Sequence, residues 1–261
     1  MTEVTKLLLE KNASVNAMDA NGKTPLHLSA EENLQGIVKI LLEHGAAIDA
    51  LDNEEQTPLH LAAVNGNTEI VEYLLDNEAA IEALDIYQLT PLYKAVEGGH
   101  INSTKLLIQR GATMNTLDIF NDWTPLHFSV KKGYPTITEL LIENGADINA
   151  LDKWKRTPLH WAARYGHTHA VELISEHQYV NISKVYEEID EEGYSRITLP
   201  PKPKPKHSGI DVLDSWKKTP FYYAIKFNHP QTAEVLLQCG ASFELLIGVH
   251  PCIGRYFYSL S

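Results

Sequence analysis

Thr57-Pro58-Leu59-His60-Leu61-Ala62-Ala63 decides how this chain is read. Its first four residues recur as Thr24-Pro25-Leu26-His27, Thr124-Pro125-Leu126-His127 and Thr157-Pro158-Leu159-His160. Looser copies are Thr90-Pro91-Leu92-Tyr93 and Thr219-Pro220-Phe221-Tyr222. Successive threonines lie 33, 33, 34, 33 and 62 residues apart. A fixed period of this size marks stacked structural repeats, each too small to bury an apolar face alone.

Working outward from Thr57, local chemistry dictates two helices per repeat. Threonine is a good N-cap, and proline suits the first helical position, where its missing N–H costs nothing. Leu59, Ala62 and Ala63 give a short helix a close-packing face, and Gly66 permits a left-handed turn. Ile70, Val71, Leu74 and Leu75 then recur at helical spacing. Asn77-Glu78-Ala79 turns the chain into Ala80 to Asp85, which reads as a β-hairpin arm.

This pattern resembles the ankyrin repeat, and six motif copies at one period carry the resemblance over roughly Val4 to Leu245. It implies an all-α repeat solenoid: an array of helix-turn-helix units with β-hairpin fingers. It also implies capping threonines at Thr24, Thr57, Thr90, Thr124, Thr157 and Thr219. Inter-helix turns are expected at Asn33, Gly66, Gly99, Gly133, Gly166 and Asn228. Second helices should end at Asn12, Gly45, Glu78, Gly111, Gly145 and Gly240, with Glu78 strained because it stands in a glycine's place. The motif histidines His27, His60, His127 and His160 would hydrogen-bond neighbouring backbone.

The array is expected over residues 1–246, with a partial repeat at 1–18 and repeats starting near 19, 52, 85, 118, 152 and 211. Val4 to Asn16 matches only a second helix and its hairpin. The 62-residue step exceeds one 33-residue period by 29 residues, which places an insert at 179–209. It holds an acidic run, Glu187 to Glu192, followed by a Pro-Lys alternation from Pro200 to Lys206. The second half reads as extended and polyproline-like. Residues 247–261 form an irregular tail that abandons the pattern. The half-repeat and the tail motivate one alternative reading, a regulatory ankyrin segment of a longer enzyme or channel.

Composition narrows the function. The 34 acidic against 22 basic residues give a net charge of −12, which argues against nucleic acid or an anionic membrane as main partner. The most apolar stretch, around Phe243 to Tyr258, carries Glu244, His250, Pro251 and Arg255, so it is not read as a membrane span. Two cysteines, Cys239 and Cys252, cannot build a disulfide framework, and no cleavable leader is evident. The expectation is a cytoplasmic monomer, with the sequons at Asn12, Asn102 and Asn181 unglycosylated. No phosphate-binding glycine loop, zinc-protease helix or nucleophile elbow is present, so no catalytic residue, metal or cofactor is assigned. His167 and His169 are two apart with no third ligand nearby in sequence.

What remains is binding. In the resembled family a partner meets the finger tips and the inner face of the first helices. The tip position reads Asn21, Glu54, Tyr87, Phe120, Trp154 and Trp216. The position after the motif histidine, or its tyrosine replacement, reads Leu28, Leu61, Lys94, Phe128, Trp161 and Tyr223. Both series turn aromatic in later repeats, where Arg164, Tyr165, Lys226 and Phe227 join them. Exposed aromatics with arginine are the usual composition of interaction hot spots. The reading is therefore a non-catalytic adaptor or scaffold, binding protein partners through Tyr87, Phe120, Phe128, Trp154, Trp161, Arg164, Tyr165, Trp216 and Tyr223. The competing reading of each ring is that it packs on its neighbouring finger. A second alternative is a phosphotyrosine-regulated adaptor using Tyr179, Tyr186 and Tyr194, each in a short tyrosine motif within the insert. Asn149, with Leu141 and Asp147 before it, fits the pattern that an asparaginyl hydroxylase prefers in such arrays.

Overall fold

The computed structural model describes residues 2–178 and 209–242. The insert tyrosines Tyr179, Tyr186 and Tyr194, and the tail at 247–261, lie outside the described residues. The fold is an all-α repeat solenoid. Helices α1 (Thr2–Glu10), α3 (Gln35–Glu43), α5 (Thr68–Asp76), α7 (Ile101–Gln109), α9 (Pro135–Glu143), α11 (168–178) and α13 (Pro230–Gln238) are the second helices of their repeats. Helices α2 (Pro25–Glu31), α4 (Pro58–Val64), α6 (Pro91–Glu97), α8 (Pro125–Lys132), α10 (Pro158–Tyr165) and α12 (Pro220–Lys226) are the first helices.

Each first helix starts where the sequence demands. Thr57 is extended, with φ −89° and ψ 165°, and its hydroxyl accepts from the His60 backbone N–H at 3.4 Å. His60 Nδ1 reciprocates, accepting from the Thr57 N–H at 3.1 Å, so the histidine does what Glu does in a capping box. The leucine between them faces the core: Leu26, Leu59, Leu92, Leu126 and Leu159 are fully buried, as is Phe221 in the last copy. Each such side chain stabilises its repeat by about 2 kcal/mol.

The chain divides into two compact units, described separately. Unit 1 runs to Ser129, with residues 143–146. There α2, α4 and α6 pack first helix on first helix, and α1, α3, α5 and α7 pack second on second. Unit 2 comprises residues 130–142 and the described residues from 147 onward, with α10 against α12 and α12 against α13. In α1, Val4, Leu7 and Leu8 remain more than half exposed.

The expected left-handed turns are all present, from φ +56° at Asn33 to +74° at Gly99. At Gly66 (φ +72°) a Cβ would also come within 2.4 Å of the His100 ring, so two constraints coincide there. Glu78 adopts φ +66°, where bulky residues are strained.

The fingers differ from the hairpins expected. No described residue lies in a strand; each finger is one tight turn. Asp52 N–H donates to Gln56 O at 3.1 Å, with Glu55 left-handed between them. Neighbouring fingers share single backbone bonds: Asn53 to Asn21, Ile86 to Glu54, and Ser215 to Trp154. One bond per pair gives no run of cross-strand bonds, and a strand requires such a run. The 34-residue step is absorbed in one finger, where Asp118 N–H reaches Trp123 O, one residue further than in its neighbours. Past the insert the pattern resumes in a 3-10 turn at Gly209–Asp211, with Ile210 buried and the Asp211 carboxylate accepting from Ser242 N–H at 3.1 Å.

Candidate functional site

Each finger begins with an aspartate whose carboxylate organises it. Asp152 Oδ1 accepts from the Trp154 and Arg156 backbone N–H groups, both at 2.9 Å. Asp214 Oδ1 does the same for Trp216 and Lys218, at 2.9 and 2.8 Å. This side-chain turn replaces the ladder bonds a hairpin would have supplied. Both aspartates are buried, so their second oxygens also need donors.

Those donors come from the position after each motif histidine or tyrosine. Trp161 Nε1 donates to Asp152 Oδ2 at 3.2 Å, and Tyr223 Oη donates to Asp214 Oδ2 at 2.6 Å. In unit 1, Lys94 Nζ lies 3.0 Å from Asp85 Oδ2 as an ion pair without hydrogen-bond geometry. Asp118 is served differently, by Tyr93 Oη at 3.2 Å from the preceding repeat. Burial, followed by the acceptor, pushes the Tyr93 and Tyr223 hydroxyls well above the ordinary phenol range, so both stay donors.

In unit 2 these rings join a continuous cation–aromatic cluster. The Arg156 Nε donates to Asp152 Oδ2 at 2.9 Å, and its Cζ lies 4.0 Å from the Trp161 ring, 4.3 Å from Trp154 and 6.0 Å from Trp216. The Arg164 Cζ lies 4.4 Å from Phe227 and 5.9 Å from both Trp161 and Tyr223. Trp161 stacks on Tyr165 and Tyr223 on Phe227. Lys153 sits 4.5 Å from Trp154, and Lys226 5.7 Å from Phe227.

The structure thus gathers six of the nine expected binding residues, Trp154, Trp161, Arg164, Tyr165, Trp216 and Tyr223, into one cluster. The other three are in unit 1, where Tyr87 pairs with Phe120 at 5.5 Å and Phe128 with Tyr93 at 5.8 Å. Exposure separates them further. Trp216 and Phe120 are 54% exposed, Tyr165 40% and Phe227 36%, whereas Trp161 and Tyr223 are only 6% exposed. The expectation of exposed rings therefore fails at Trp161 and Tyr223, because the buried aspartates draw them inward. Arg156, the centre of the cluster, is absent from the sequence-derived site. Its signal was its place four residues after the finger aspartate.

The motif histidines tie repeats together. The Thr57 N–H can only donate, so His60 Nδ1 accepts; His60 Nε2 then carries the proton toward Leu89 O, 2.9 Å away. His27 reaches Gln56 O and His160 reaches Lys218 O in the same way, at 2.9 and 3.1 Å. Burial lowers all three histidine pKa values, His160 to about 4, which keeps the rings neutral. His167 is half-buried, its pKa also lowered by burial, and it bonds the Lys131 backbone. Among the described residues no three His, Cys, Asp or Glu side chains converge as a metal site. No described helix is long and apolar enough to cross a membrane. Asn149 is exposed, and its Oδ1 accepts from Gln178 Nε2 at 3.2 Å.

The family model described as ankyrin repeats (3 copies) matches the sequence over four segments, residues 1–52, 46–118, 114–186 and 151–246. No curated protein matches it. Among solved structures the chain is similar to the ankyrin repeat domain of Bcl-3, described as a unique member of the IkappaB protein family. The TM-score is 0.69 at 23% identity, over 90% of this chain and 91% of that one, a likeness of fold. With its period, caps and finger turns in place and the matched segments spanning residues 1–246, the chain belongs to the ankyrin repeat family.

Proposed function

We propose that this chain is a non-catalytic protein-binding module acting inside the cell as a monomer, and that its partner docks on the cation–aromatic surface of unit 2. Repeats of this family generally serve protein–protein interaction. The observation that carries the reading is that Trp216, Tyr165 and Phe227 hold exposed ring faces on a scaffold of buried, hydrogen-bonded residues. Rings held this way lose little entropy on binding, which is how hot spots gain affinity. Trp161 and Tyr223 back that surface, and Trp154 flanks it.

The test selects binders from a random-peptide display library on the intact protein and measures their affinity for two variants. Combined Trp216→Ala, Tyr165→Ala and Phe227→Ala should weaken the selected peptides by at least about 2 kcal/mol. Combined Tyr87→Ala and Phe120→Ala in unit 1 should leave them bound. The opposite pattern would move the partner surface to unit 1.

A further inference from the structure

Resting on that reading, we infer that the unit 2 surface takes an acidic, apolar peptide segment, and that Arg164 is the residue that grips its carboxylate. The first observation is a charge reversal within a protein of net charge −12. From Lys153 to His167 there are four bases and no acid, and from Ser215 to His229 three bases and no acid. Among the equivalent stretches of unit 1, Asn53 to Gly66 has two acids and no base, Ala20 to Asn33 two acids and one base, and Ile86 to Gly99 one of each. Stretches free of acid are those that supply the fingers and first helices α10 and α12, the elements that build the cluster.

The second observation separates the two arginines. Arg156 is buried, and Asp152 neutralises its charge from within. Arg164 is half-exposed, and among the described residues no carboxylate pairs with it. Phe227, Trp161 and Tyr223 lie around its guanidinium, restricting it before any ligand arrives. A planar fork of N–H donors held among rings matches a carboxylate in two parallel bonds. The exposed rings of Tyr165 and Phe227 beside it offer an apolar side chain a place to rest. A nucleic-acid strand shares the taste for cations and rings, but it carries a charge on every residue where an alternating acidic peptide carries one on every second, and so meets about twice the opposition from the protein's overall negative charge.

The probe is a fluorescent twelve-residue peptide alternating Asp or Glu with Leu or Phe. Its Asn/Gln counterpart and a twelve-nucleotide oligothymidylate serve as comparators, all read by anisotropy. The acidic peptide should bind saturably and weaken with added salt, with both comparators at least about tenfold weaker. Arg164→Gln should weaken the acidic peptide about tenfold, and Arg164→Lys nearly as much, because an ammonium lacks the stacked fork. Arg110→Gln in unit 1 should change nothing. Unfolding midpoints of each variant separate a lost contact from lost structure. The inference is overturned if Arg164→Gln and Arg164→Lys both bind like wild type, if the amide peptide binds equally, or if the oligonucleotide binds best. If display-selected peptides are lost on removing Trp216, Tyr165 and Phe227 while Arg164→Gln has no effect, the surface stands and the acidic specificity falls.

Discussion

Two finger aspartates, the first of unit 1 and the first of unit 2, have the same backbone task and different company. Asp19, in unit 1, is exposed, and among the described residues its carboxylate accepts from the Asn21 and Lys23 N–H groups alone, both at 2.8 Å. Asp152, in unit 2, is buried and adds Arg156 and Trp161 to its two backbone bonds. In unit 1 the first-helix acids also meet local bases: Glu31 lies 2.7 Å from Lys23, and Glu97 3.6 Å from Lys94. In unit 2 the first helices α10 and α12 carry no acid, and the cations Arg164 and Lys226 lean on rings. One scaffold position can therefore be a solvated turn or the root of a binding surface, depending on whether a large donor-bearing side chain covers it.

Removing the root is the strongest challenge to this contrast. Asp152→Ala strands the buried Arg156 charge and the Trp161 N–H, and should cost about 3–5 kcal/mol. Asp19→Ala loses two exposed bonds and should cost about 1 kcal/mol. Hydrogen exchange at residues 153–167 and 20–31 would read each effect locally. Equal losses at the two sites would erase the distinction.

Acid offers a milder challenge. Protonation is disfavoured in the folded ring of His160, so stability is complete above the unfolded value of about 6.5. It declines as pH falls toward the folded value of about 4, by at most about 3 kcal/mol. His160→Asn should flatten the urea midpoint across that window. Where Tyr93 replaces the histidine in unit 1, its tie to Asp118 has no ring to protonate there and should survive. A midpoint profile unchanged by His160→Asn would refute the neutral-ring assignment.

The smallest effect lies within unit 1. Glu78 holds φ +66°, where Gly45 and Gly111 occupy the corresponding turns. Glu78→Gly should raise stability by about 0.5–1 kcal/mol, as relieved strain outweighs added chain entropy. A lower melting temperature would show that the Glu78 side chain contributes something its backbone conceals.

Much of this was legible beforehand. Thr24, Thr57, Thr90 and Thr219 cap helices because threonine before a proline that opens a helix has few better uses, and the left-handed turns fall on Asn33, Gly66 and Gly166 because few other residues tolerate them. The binding-residue candidates were legible by position and misjudged by depth. Trp161 looked exposed because the period assigns it to a face, while Asp152 beneath it supplies the missing acceptor. Arg156 was not among the candidates, since its pairing with Asp152 is made in space.

The sequence alone determined the period, the helix starts, the buried leucines and the aromatic drift of later repeats, because these follow from caps, turns and spacing within about 33 residues. Only the tertiary structure decided which rings are buried donors and which present a face, and which arginine is neutralised. Those outcomes depend on one finger meeting the helix behind it and the finger beside it. Hydrogen-bond satisfaction of a buried carboxylate is settled in space, by whichever donor reaches it.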